Sequence, residues 1–138
     1  MPSTPQPSTP QPFDPQPFDP RPELDTLADL LRERLPDDAV ITGPAAVTAA
    51  VRLWNSQVTA RPAVVARCST AAEVQAAVRA ARSAGVPLSV RGGGHDWAGS
   101  AIAEGGLLVD LGGMRQVAIE GDEARVAGGA TVSDVLDA

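Results

Sequence analysis

The chain has 138 residues, a net charge of −6 and eleven basic residues, all of them arginine. That acidic balance argues against a nucleic-acid partner, which wants a basic face, and the single cysteine, Cys68, excludes an internal disulfide. There is no apolar run of membrane-spanning length and no basic-then-apolar leader at the N-terminus, so a soluble, cytoplasmic protein with no membrane partner is expected.

Residues 3–22 read STPQP, STPQP, FDPQP, FDPRP, a pentapeptide with two prolines in each unit. Such a segment is expected to be extended and solvated, so residues 1–23 are read as a disordered Pro-rich tail. Its alternative use is as a peptide ligand for a groove that recognises polyproline. Leu24, Leu27, Leu30, Leu31 and Leu35 then fall at helical spacing, and Pro36 marks a stop. Gly43-Pro44 breaks the chain, and Ala45 to Trp54 suits a second short helix. Residues 24–58 are therefore a helical lead-in, with Trp54 a core or lid residue.

From residue 59 onward the pattern is that of a domain running to 138. Ala63-Val64-Val65-Ala66 is the short apolar run of a buried parallel strand. Thr70 and Glu73 have the spacing of a capping box, Val74, Ala77, Val78 and Ala81 form a helical stripe, and Gly85 supplies a C-terminal cap before Pro87. Leu88-Ser89-Val90 is a second strand, which completes a βαβ unit. Leu107 to Leu111 is a third buried strand. Val117 and Ile119, then Ala124 and Val126, alternate on two strands joined by a glycine-first hairpin turn at Gly121-Asp122. Gly128-Gly129 follow, and Thr131 with Asp134 caps a last helix that has hardly begun at Ala138.

The stretch Arg91-Gly92-Gly93-Gly94-His95-Asp96-Trp97-Ala98-Gly99 leaves the carboxyl end of the second strand, where open α/β layers place their ligands. Three successive glycines let a backbone approach a ligand closely and aim N–H groups at one point, which makes an anion site with a pyrophosphate as its common occupant. The plain alternative is turn punctuation. Two familiar phosphate loops do not fit. The G-x-G-x-x-G fingerprint fails because Trp97 stands at its third glycine, and the P-loop fails because Ser100 stands where that loop needs lysine. Zinc is excluded on ligand count, since Cys68 and His95 are the only soft or imidazole ligands, so no metal site is expected.

RGGGHDWAG, the strand ending in Ala-Arg-Cys68, the following helix and strand, LLVDLGGMRQV and GGATVSDVLDA resemble, in order and spacing, the FAD-linked oxidases of the berberine bridge enzyme type. These belong to the vanillyl-alcohol oxidase superfamily with its PCMH-type FAD-binding domain. The resemblance implies an α+β fold, the N-terminal lobe of that domain, and FAD as cofactor. It implies that Arg91, Gly92, Gly93 and Gly94 wrap the FAD pyrophosphate and that His95 is joined to the flavin 8α carbon through a neutral imidazole nitrogen. The alternative for His95 is a residue hydrogen-bonded in a turn. Asp96 and Trp97 are expected to shape the ring pocket, or else Asp96 only caps the turn and Trp97 only packs. Gly99 and Gly129 complete the expected cofactor-binding set. No catalytic acid or base is assignable in this stretch. The chain is expected to be an incomplete portion of a flavin-dependent oxidoreductase without turnover by itself, which meets a small-molecule substrate only in a full-length form. A non-catalytic scaffold using the Pro-rich tail, or an unstable gene fragment, is the alternative.

Overall fold

The computed structural model describes residues 21–51 and 53–138, so the expected disordered tail lies, up to residue 20, outside the described residues. The first helix, α1 (Arg21–Arg32), already includes residues 21–23, which the repeat pattern had assigned to the tail. A proline in a helix's first turn gives up only an N–H that has no helical partner there, so Pro22 is compatible with this start. Leu27 and Leu31 are fully buried and Leu35 nearly so, as the leucine stripe requires.

The lead-in is more than helical. After a single 3-10 turn it supplies β1 (Val40–Thr42), and then α2 (Pro44–Ala50), which ends well before Trp54. Three residues are too few to show a strand's alternation, so nothing in the pattern marks β1. Trp54 is 63% exposed and does not belong to the core.

The domain then follows its expected order. It comprises β2 (Val64–Arg67), α3 (Ala71–Ala84), β3 (Leu88–Arg91), β4 (Leu107–Asp110), the hairpin β5 (Val117–Glu120) and β6 (Glu123–Val126), and α4 (Val132–Leu136). Thr70 Oγ1 accepts the Glu73 N–H at 3.2 Å, and the Glu73 carboxylate accepts the Ser69 N–H at 2.7 Å, so both members of the cap satisfy N-terminal donors. Gly85 ends α3 in the left-handed region at φ 67°. Gly121 takes φ 64° while among the described residues no non-glycine residue has positive φ, which is what a glycine-first II′ turn requires.

The main sheet has the order β1-β2-β4-β3, with β1 antiparallel to β2 and the other neighbours parallel. The βαβ unit is therefore split, because β4 inserts between β2 and β3. All four residues of β4 are buried, as expected of a central strand with both faces covered. Alternation divides the core. Val64, Ala66, Leu107 and Val109 pack with α1 and with Ala77, Ala80 and Ala81 of α3, whereas Val65 and Leu108 pack with Val47 of α2 and Ile102. Three alanines on the inner face of α3 let the helix lie close to the sheet. Val78, read as part of that stripe, sits at its margin and is 36% exposed. The β5–β6 hairpin forms its own two-stranded sheet, and its Ile119 and Val126 remain largely exposed.

Candidate functional site

Parallel register places Arg67, Asp110 and Arg91 side by side, one at the last position of each of β2, β4 and β3. Residues in such a row point to the same face of a sheet. Asp110 Oδ2 accepts Arg91 Nη2 at 2.6 Å, and both side chains are 9% exposed. Arg91 also donates to the Ala50 carbonyl at 3.2 Å, and Asp110 Oδ1 accepts the Gly112 N–H at 3.0 Å. A buried ion pair survives loss of water only with such additional hydrogen bonds. Arg91 thus fixes the start of the glycine loop with its side chain.

Above this row lies a cleft of about 370 Å³ that brings together Gly92 and Gly93, Gly112, Gly129 and Thr131, along with Arg67, Arg91 and Arg115. Three glycine segments meet here, and at two positions the facing backbone excludes a side chain. A Cβ on Gly92 would stand 2.5 Å from the Gly128 carbonyl oxygen, and one on Gly129 would stand 1.7 Å from that of Leu111. Among the described residues the Gly92 and Gly93 N–H groups donate to no protein acceptor. The N–H of Gly129 is used on the Met114 carbonyl at 2.9 Å, so Gly129 shapes the cleft without offering a donor.

The other expected site residues lie along the loop beyond the cleft. Gly94 takes φ 75°, and its carbonyl accepts the Trp54 N–H at 3.0 Å. Asp96 caps the turn, accepting the Ala98 N–H at 3.1 Å and the Ala101 N–H at 2.8 Å. Gly99 packs against Val58, whose methyl carbon would stand 2.7 Å from an added Cβ. His95 is exposed, with Nδ1 3.2 Å from the Gly93 carbonyl. A carbonyl only accepts, so in a neutral ring this contact places the proton on Nδ1. Trp54 and Trp97 stand together with ring centroids 6.2 Å apart, and Asn55 Nδ2 donates to the Trp97 carbonyl at 2.9 Å.

Asp110, Gly112, Arg67, Arg115 and Thr131 were not picked out as site residues from the sequence. Asp110 and Gly112 do stand in the D-L-G-G run that closes β4, which was the available signal. Arg115 makes a two-pronged pair with Asp134 at 3.0 and 2.7 Å, and Asp134 also holds Thr131. These bonds, that from Arg115 foremost, hold the Asp134 carboxyl well below the usual carboxylate range. Burial, reinforced by Glu73 and Asp110, pushes the Cys68 thiol up to about 11, so it stays protonated at neutral pH and is no nucleophile.

A larger cleft of about 810 Å³ opens at the opposite end of the strands, between α1, α2 and residues 61–64. Its lining is mostly apolar, and its Glu104 carboxylate is taken by the Arg61 N–H at 2.8 Å. Among the described residues no group of three or more metal-ligating side chains occurs, and no helix is long and apolar enough to cross a membrane.

The cleft thus combines glycine walls, N–H groups without an acceptor among the described residues and arginines at the carboxyl ends of parallel strands. Residues 62–138 match the family described as FAD binding domain, and the chain belongs to that family. It is 37% identical over 90 residues to (R)-6-hydroxynicotine oxidase of Paenarthrobacter nicotinovorans, covering 64% of this chain and 20% of that protein. It is 34% identical over 86 residues to Berberine bridge enzyme-like 2 of Arabidopsis thaliana, covering 59% and 16%. Among solved structures, 6-hydroxy-D-nicotine oxidase from Arthrobacter nicotinovorans superposes with a TM-score of 0.66 at 35% identity, over 71% of this chain and 22% of that one. Phl p 4, a grass pollen allergen with glucose dehydrogenase activity, gives 0.66 at 25% identity, over 79% and 25%. The chain therefore spans about a fifth of the length of the curated relatives it matches. The resemblance to the berberine bridge type and the α+β fold it implied are both upheld.

Proposed function

We propose that this chain is the diphosphate-holding portion of a flavin-dependent oxidoreductase, and that His95 carries FAD covalently through its 8α carbon. The observation that carries the reading is the cleft: Gly92 and Gly93, whose N–H groups have no acceptor among the described residues, line the same space as Arg67, Arg91 and Arg115 in an otherwise acidic protein. Backbone donors and guanidinium groups suit a diphosphate, and at Gly92 and Gly129 the neighbouring backbone leaves no room for a Cβ. When bound, the flavin would accept a hydride from a substrate C–H bond and pass the two electrons to dioxygen or another acceptor.

The chain's own residues bind and orient. Asp110 and Arg91 anchor the loop, Asp96 fixes its curve, and the contact with the Gly93 carbonyl leaves Nε2 of His95 as the nitrogen available for a bond. Residues 59–138 make up the cofactor-binding unit, and 24–58 brace it through β1 and the Trp54 contact. No catalytic acid or base is assigned among these residues, so turnover and substrate are not assigned to this stretch.

The purified protein is expected to be yellow, with flavin that remains on the polypeptide after acid denaturation. His95→Ala is expected to bind flavin that acid releases. Flavin that stays attached in His95→Ala refutes the linkage, and a wild-type protein that takes up no FAD refutes the whole reading.

A further inference from the structure

The three arginines of the cleft are not electrically equivalent. Arg91 is neutralised by Asp110 at 2.6 Å, and Arg115 by Asp134 through two hydrogen bonds. Arg67 is exposed, lines the cleft, and has no ion-pair partner among the described residues. It neighbours Asp110 in the β2–β4 register, yet that carboxylate gives one oxygen to Arg91 and the other to the Gly112 N–H. The row Arg67–Asp110–Arg91 therefore holds two cations and one anion, and the surplus charge resides on Arg67.

We infer that Arg67 is a cofactor-binding residue, the cation that meets the FAD diphosphate opposite the Gly92–Gly93 donors. The inference rests on the FAD reading above and adds to it a residue outside the glycine loops. An arginine held at the end of a buried strand is the better placed for this role because its backbone is paired with Asp110 of the central strand β4. Its planar fork can take two phosphate oxygens at once. Its charge is not offset, so it favours FAD over riboflavin, which has the same ring system and no phosphate.

The test uses the full chain with His95→Ala as parent, so that flavin binding stays reversible, and measures FAD and riboflavin affinity by calorimetry at low and high salt. Arg67→Gln is expected to weaken FAD binding about tenfold, flatten its salt dependence and leave riboflavin affinity unchanged, while Arg67→Lys recovers part of the loss. Circular dichroism of each variant verifies the fold, which an exposed side chain leaves intact. Unchanged FAD affinity in Arg67→Gln overturns the inference while the FAD reading stands. An equal loss for riboflavin also overturns it, since the effect then lies in the ring or the fold. A parent that binds neither flavin overturns the FAD reading and this inference together.

Discussion

Removing the carboxylate of Asp110 should be among the most damaging single changes in this chain. Asp110→Ala leaves the Arg91 guanidinium, whose side chain is 9% exposed, beside an apolar methyl in place of its carboxylate at 2.6 Å. A guanidinium cannot discharge by losing a proton, so it stays charged and buried without that counter-ion. Breaking one partner of a buried pair costs about 3–5 kcal/mol, a large part of the about 5–15 kcal/mol that holds a typical domain folded. Arg91→Met should cost less, because Asp110 keeps the Gly112 N–H at 3.0 Å and methionine fills the space of the stem. The double variant Arg91→Met/Asp110→Leu removes both charges and should be more stable than Asp110→Ala. Urea unfolding followed by circular dichroism gives all four stabilities from midpoints at constant slope. If Asp110→Ala loses less than about 1 kcal/mol, or the double variant falls below it, the pair is not the buried, mutually dependent unit described here.

Gly129→Ala places a methyl 1.7 Å from the Leu111 carbonyl oxygen, backbone against backbone, and should cost about 3 kcal/mol or more or give insoluble protein. Gly93→Ala meets nothing closer than His95 Nδ1 at 3.6 Å, so it should fold normally and lose flavin, as measured by urea midpoint and flavin content. The Cys68 thiol is raised from 9.0 to about 11 by burial first and then by Glu73 and Asp110. Because the folded value is the higher one, this contribution to stability is complete below the unfolded thiol's pKa and is lost as pH climbs from about 9 toward about 11. Cys68→Val should therefore resist alkaline unfolding better than wild type, and identical alkaline midpoints would contradict the stated burial effect.

Local signals carried most of the secondary structure. Thr70, Glu73 and Gly85 mark both ends of α3 through contacts within a few residues, and Gly121 sets the hairpin turn by its own backbone angle. The glycine loop was also legible, because its composition and its place after β3 are both sequence-local. What the sequence withheld was lateral order. Parallel strands joined by crossovers bear no turn that fixes register, so the position of β4 between β2 and β3, and hence the row Arg67–Asp110–Arg91, became visible only with the sheet assembled. Of the two readings for Trp54, core or lid, the core one fails for a related reason. A large aromatic is usually buried, but its partner here, Trp97, is exposed on the loop and lies far along the chain.

The split of the βαβ unit and the chemistry of the cleft have one cause. Had β3 paired directly with β2, a register like the observed one would set Arg67 against Arg91 at the ends of adjacent strands, and like charges directly opposite destabilise a sheet. Inserting β4 puts a carboxylate between them. Asp110 attracts both arginines and its second oxygen holds Gly112, so the same residue that makes the strand order tolerable also sets the floor of the cleft. Because one carboxylate cannot neutralise two guanidiniums, the arrangement that stabilises the sheet necessarily leaves a positive charge at its carboxyl edge. An anion placed there completes the balance that the fold alone leaves open.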